Sequence, residues 1–152
     1  MTGYLDAPEA TERALRDGWL HTGDRVVRQP DPSYRFVGRV GERFKCGGLW
    51  VDPVQIEAVL SRHAGVAEVA VTSVPDDAEI RRVAAVVVAR DRYEPGQLIR
   101  ELNELSATLL AAHEIPREYR FVDQLPTAAS GKVRRGELQR LVESHPVGAV
   151  TA

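Results

Sequence analysis

Cysteine is nearly absent, with Cys46 the single one in 152 residues. That excludes an internal disulfide and a multi-cysteine zinc site, and it fits a reducing compartment. Long apolar runs are missing as well. No stretch approaches the roughly 20 apolar residues of a membrane helix. The opening MTGYLDAPEATERALRDG lacks the basic start and apolar core of a secretory signal. The expectation is a cytoplasmic chain without a membrane span. Neither sign of charge prevails: 20 Lys and Arg stand against 22 Asp and Glu, a formal net charge of -2, so no global attraction to nucleic acid arises. The one basic run, Lys132, Arg134 and Arg135, has no interleaved aromatics, which argues against a base-stacking surface. His21, His63, His113 and His145 are scattered without ligand spacing, so no protein-bound metal is expected. Repeats and low-complexity tracts are absent.

What remains is an ordinary globular composition, 43% hydrophobic and 28% charged, enough for one compact core. Residues 2–41 are rich in turn formers and poor in large apolar side chains. Their two strand-like runs, Arg25 to Arg28 and Tyr34 to Val37, are placed to pair as a hairpin across Pro30-Asp31-Pro32-Ser33. Such a segment buries little by itself and reads as the tail of something larger. After Gly41 the pattern changes. Asp52 caps a helix with Pro53 first and Gln55 third; Ile56, Val59, Leu60 and His63 follow at helical spacing, and Gly65 is placed to stop it. Val66 to Val74 and Arg81 to Ala89 read as strands, the second apolar on both faces and therefore central. Pro95 opens a helix with Leu98, Leu102, Leu105 and Leu109 on one face; EYRFV is a third strand, and Glu137 to Val142 a final short helix. The fold class expected is α+β: a small three-stranded sheet with helices packed on it, preceded by a β-hairpin segment.

The loops between these elements carry three motifs: GWLHTGD at 18–24, GRVGERFKCGGLWVDPVQIE at 38–57 and LPTAASGKVRRGEL at 125–138. Together, in this order and at these separations, they resemble the C-terminal signature of the AMP-forming acyl-CoA synthetase and adenylating-enzyme superfamily. The likeness spans nearly the whole chain, and KCGGLWVDPVQIE is most similar to benzoate and other aryl-CoA ligases. The family activates a carboxylic acid with ATP and Mg2+ to an acyl-adenylate, then passes the acyl group to the thiol of coenzyme A.

The resemblance implies a role for each matched residue, and each has a plainer reading. Asp24 would accept hydrogen bonds from both ribose hydroxyls, as a carboxylate can; otherwise it caps a turn. Arg39 would sit beside the same ribose or phosphate, or form a surface ion pair. Lys132 would be the adenylation lysine, orienting the carboxylate and stabilising charge on the phosphoryl oxygens from a long flexible stem; the bland reading is a solvated loop lysine. Gly47 and Gly48 would line the tunnel for the pantetheine arm, or simply make a tight turn between strands. Lys45 would face the site in the thioester-forming state, or be an exposed strand lysine. Trp50 would pack near coenzyme A or, more in keeping with its size, in the domain core. Cys46 has no histidine base placed beside it and is rejected as a nucleophile. Gly41 takes the hinge position, where many similar members carry Asp or Lys, so residues 1–40 would be the tail of a large N-terminal domain and 41–152 the mobile domain.

The family's Gly-rich phosphate loop, adenine segment and acyl pocket have no counterpart in these residues, so ATP and acid would lack a complete site and the isolated chain is expected to be inactive. Implied partners are the large N-terminal domain, a small carboxylic acid with an aromatic one the nearer analogy, and an acetyltransferase acting on Lys132. The competing class is a stand-alone module that binds a partner ligase or carrier protein without catalysis; a nucleic-acid binder is the least favoured.

Overall fold

A computed structural model of the chain describes residues 2–143 other than Asp77 and Arg92; His145, and residues 144–152 of the expected mobile domain, lie outside the described residues. The chain divides into two compact units, Met1–Gly41 and Glu42–Ala152.

The first unit contains a short helix α1 (Pro8–Ala14), a minimal ladder of β1 (Leu15–Arg16) with β2 (Trp19–Leu20), and the hairpin β3 (Asp24–Arg28) with β4 (Tyr34–Arg39). The hairpin is the one expected across Pro30 to Ser33, closed where Gln29 N–H donates to the Ser33 carbonyl. Helix α1 and the β1–β2 ladder were not expected, since seven helical residues give too short a periodicity to read. Among the described residues of this unit only Gly38 is buried. Trp19, Val26, Val27, Tyr34, Phe36 and Val40 all stand about half or more exposed. This unit therefore has no core of its own.

The second unit holds the hairpin β5 (Phe44–Cys46) and β6 (Leu49–Val51), helix α2 (Pro53–Leu60), strands β7 (Val66–Pro75) and β8 (Arg81–Ala89), helix α3 (Pro95–Leu109), strand β9 (Glu118–Phe121) and helix α4 (Arg135–Glu143). The sheet runs β7-β8-β9, β8 antiparallel to β7 and parallel to β9. Central β8 is apolar from Val83 onward because each face meets its own cluster. Val83, Ala85 and Val87 pack with Ile56 and Leu60 of α2, Leu98 and Leu102 of α3, and Cys46 and Val51 of the hairpin. Ala84 and Val86 pack with Leu125 and with Leu138 and Val142 of α4. Each fully buried Leu contributes about 1.5–3 kcal/mol over an exposed one.

Asp52 caps α2 as expected, its Oδ1 accepting from Val54 N–H at 3.3 Å. The helix ends at Leu60 and not at Gly65. Gly65 serves a different need: a Cβ there would come within 2.9 Å of Leu98 and the Tyr93 ring. On α3 the buried face is Leu98, Ile99, Leu102 and Ser106, while Leu109 at the last turn is 44% exposed. Leu110, just past the helix, packs against the core in its place. The final helix begins two residues earlier than the sequence indicated, at Arg135.

Candidate functional site

Within the first unit, the hairpin register sets Asp24 directly opposite Arg39. Their side chains meet, Arg39 Nε donating to Asp24 Oδ1 at 3.0 Å, both partly exposed. Asp24 N–H donates to Thr22 Oγ1 at 3.1 Å, and Val40 N–H to the Gly23 carbonyl at 2.7 Å, with Gly23 at φ 76°. The surface ion pair is thus present, whereas the side chain that caps the turn is Thr22 and not Asp24, whose carboxylate is engaged by Arg39; the ladder fixes a carboxylate and a guanidinium side by side. An arginine so placed orients the carboxylate and adds its own donors for an anion. Gly41, at φ 94°, is the last residue of this unit.

In the second unit, the β5–β6 hairpin turns through Gly47 (φ 54°) and Gly48 (φ 84°). Two successive positive φ values are what a two-residue hairpin turn of primed type demands, and glycine adopts them without a Cβ penalty. Nothing lies within 4 Å of a Cβ at either position, so backbone angle and not space selects glycine. Strand alternation buries Cys46 and Val51 and turns Lys45 and Trp50 outward as cross-strand neighbours. Trp50 is therefore not a core residue: it is 53% exposed, because the register that buries Val51 forces its neighbour out. Lys45 Nζ lies 5.0 Å and Arg43 Cζ 5.5 Å from the indole centroid, within cation–π range. Burial pushes the Cys46 thiol up, the charge of Arg81 opposing, which makes it a poor nucleophile.

Lys132 sits on a third hairpin-like loop. Thr127 and Val133 bridge antiparallel, Ala128 N–H donates to the Lys132 carbonyl, and Gly131 N–H (φ 78°) to the Ala128 carbonyl, both at 2.8 Å. Small residues Ala128 to Ser130 form the tip. The Lys132 side chain is exposed, and among the described residues no hydrogen bond or ion pair engages its ammonium. By contrast, Arg134 pairs with Glu137 at 2.8 Å and Arg135 with Glu57 at 2.6 Å. The basic run is one unengaged amine followed by two engaged guanidiniums.

Sequence reasoning missed the Glu57–Arg135 pair, since a contact across 78 positions leaves no local signal. It also passed over a legible one. Of the 20 Lys and Arg residues only Lys45 and Lys132 are lysines. Arginine serves elsewhere, and both amines fall on the motif loops. Among the described residues no group of three or more His, Cys, Asp or Glu side chains is arranged to hold a metal, and no helix is long and apolar enough to cross a membrane.

Comparison with known proteins agrees with these loops. The AMP-binding enzyme C-terminal domain family matches residues 55–132. The chain is 37% identical over 142 residues to 4-hydroxybutyrate–CoA ligase 1 of Metallosphaera sedula, covering 93% of this chain and 25% of that protein. It is 35% identical over 146 residues to the 3-hydroxybenzoate–CoA/4-hydroxybenzoate–CoA ligase of Thauera aromatica, covering 95% and 28%. A crystal structure of an anthranilate CoA ligase in complex with anthranoyl-AMP superposes with a TM-score of 0.81 at 33% identity, over 90% of this chain and 27% of that one. The chain thus spans about a quarter of the length of these relatives. On its motifs, its sheet and these matches, it belongs to the AMP-binding enzyme C-terminal domain family, with aryl-CoA ligases among its homologues.

Proposed function

We propose that this chain is the mobile C-terminal domain of an AMP-forming carboxylic acid–CoA ligase, with the tail of the large N-terminal domain attached. The observation that carries the reading is Lys132: an exposed, unengaged amine on a tip of small residues, in a chain that otherwise uses arginine for all but one of its cations. In the adenylation step the acid's carboxylate attacks the α-phosphorus of ATP bound with Mg2+, and pyrophosphate leaves. The Lys132 ammonium orients the carboxylate and stabilises charge on the phosphoryl oxygens. Asp24, steadied by Arg39, holds the ribose hydroxyls. Rotation at Gly41 then presents the Lys45 to Trp50 hairpin, whose Gly47-Gly48 turn leaves open space for the pantetheine arm and whose Lys45 assists thioester formation. The acid is small and by analogy aromatic. Acetylation of Lys132 would remove the cation and silence the first step. On this reading the isolated chain is inactive.

The test is a chimera in which residues 1–152 replace the corresponding part of the Thauera aromatica ligase. Lys132→Ala is expected to lower pyrophosphate exchange by about 10²–10³-fold, as loss of a transition-state charge partner does. It should spare thioester formation from a supplied acyl-adenylate. Lys45→Ala should show the reverse pattern. Equal loss of both half-reactions in either variant would overturn the assignment.

A further inference from the structure

The sheet's outer strand β7 has an open edge, and one residue on it is closed by side chains. Val71 stands opposite Ala85 in the ladder, yet its own N–H donates to Glu57 Oε1 at 2.8 Å and its carbonyl accepts from Arg135 Nη1 at 2.8 Å. Both groups therefore face away from β8, as in the wide pairs of an antiparallel ladder. Arg135 also donates to Glu57 twice, Nη1 to Oε1 at 2.6 Å and Nη2 to Oε2 at 3.3 Å. One guanidinium thus joins α2, β7 and the first residue of α4. Only a planar fork meets a carboxylate bidentately and a carbonyl with the same nitrogen; an ammonium has no such geometry.

Arg135 lies three residues after Lys132. The chain enters the Lys132 loop from Leu125, anchored in the core, and Arg134 N–H returns to the Pro126 carbonyl at 2.8 Å. On the outgoing side Val133 packs in part against the same cluster, and Arg135 then follows before the next fully buried residue, Leu138. We propose that Arg135, gripped by Glu57 across the open edge of β7, is a positioning residue that sets where the Lys132 loop stands. The proposal rests on the reading of Lys132 as the adenylation lysine for its functional meaning, but the placement can be measured without it.

The chain has two lysines, so an endoproteinase that cleaves after lysine has two sites, Lys132 on the loop and Lys45 on β5. The second site reports opening of the hairpin packed on the core and serves as internal control. In the full chain, Arg135→Met is expected to speed cleavage after Lys132 about tenfold, the scale of losing charge-assisted hydrogen bonds, while cleavage after Lys45 stays within about twofold. Glu57→Gln keeps an acceptor for Val71 but loses the charge, so it should give a smaller rise at Lys132 alone, and it carries the test if Arg135→Met does not fold. Equal acceleration at both sites, which general destabilisation would produce, or no change at Lys132 would overturn the proposal. Failure of the Lys132 chemistry would appear separately, as unchanged pyrophosphate exchange in the Lys132→Ala chimera.

Discussion

Tyr119 shows what burial does to a single group. On β9 its hydroxyl donates to Asn103 Oδ1 of α3 at 3.1 Å, and burial pushes its pKa up to about 12. An unfolded tyrosine ionises near pH 10. The raised folded value means that the neutral phenol favours the native state. That contribution is complete below about pH 10 and is lost as pH rises toward 12. Tyr119→Phe should therefore flatten the fall of the urea midpoint between these pH values, relative to the unaltered chain. Identical alkaline profiles would show that the phenol is accessible to solvent. The same scale separates the cations: Arg134 and Arg135 are held by carboxylates, whereas Lys132 is not, although the three stand within four positions. Sequence shows the run, and only partners distributed along the chain show the division.

Among the elements, the β5–β6 hairpin is the one whose turn chemistry is most constrained. Gly48→Ala places a Cβ at φ 84°, where no neighbour obstructs it but the backbone conformation penalises it by about 1–2 kcal/mol. Gly47→Asn, at φ 54°, should cost much less, because asparagine tolerates the left-handed region. Urea denaturation of both variants checks the contrast; equal stability would mean that the turn relaxes out of its primed form. The hairpin also explains the displaced expectation for Trp50. Size favours burial of an indole, but the two-residue turn fixes the register, and a period of two then assigns the outward face to Lys45 and Trp50 together. Likewise α3 buries Ile99 and Ser106 and not Leu109, because the buried stripe of the helix ends at Ser106 and Leu109, its last residue, lies beyond it.

At the scale of the whole molecule, the two units are unequal. Among the described residues, buried apolar side chains begin at Cys46 and continue to Val142, and none belongs to the first unit. Opening β3 from β4 therefore costs little more than its own ladder, while opening β7 from β8 costs the shared core. In hydrogen exchange by the dilute monomer, amides of Val26 to Arg28 should exchange far faster than those of Val83 to Val87. Comparable protection would mean that residues 2–41 are covered by another copy. Trp19, Phe36 and Val40 leave apolar surface exposed on the first unit, which the larger domain of the proposed function would cover.

The sequence by itself determined most of the elements and the family. Helix α2 was legible because Asp52 and Pro53 act on their immediate neighbours, β8 because an apolar run long enough for a strand has nowhere but the centre of a sheet to lie, and the three motif loops because their residues are contiguous. These are local properties, fixed over a few positions. Tertiary structure alone decided that β9 joins β8 in parallel, that Trp50 faces out, and that Glu57 and Arg135 close the edge at Val71. Each of those depends on which distant segment occupies a neighbouring position, and that choice is made by packing the core as a whole, which no short window of sequence encodes.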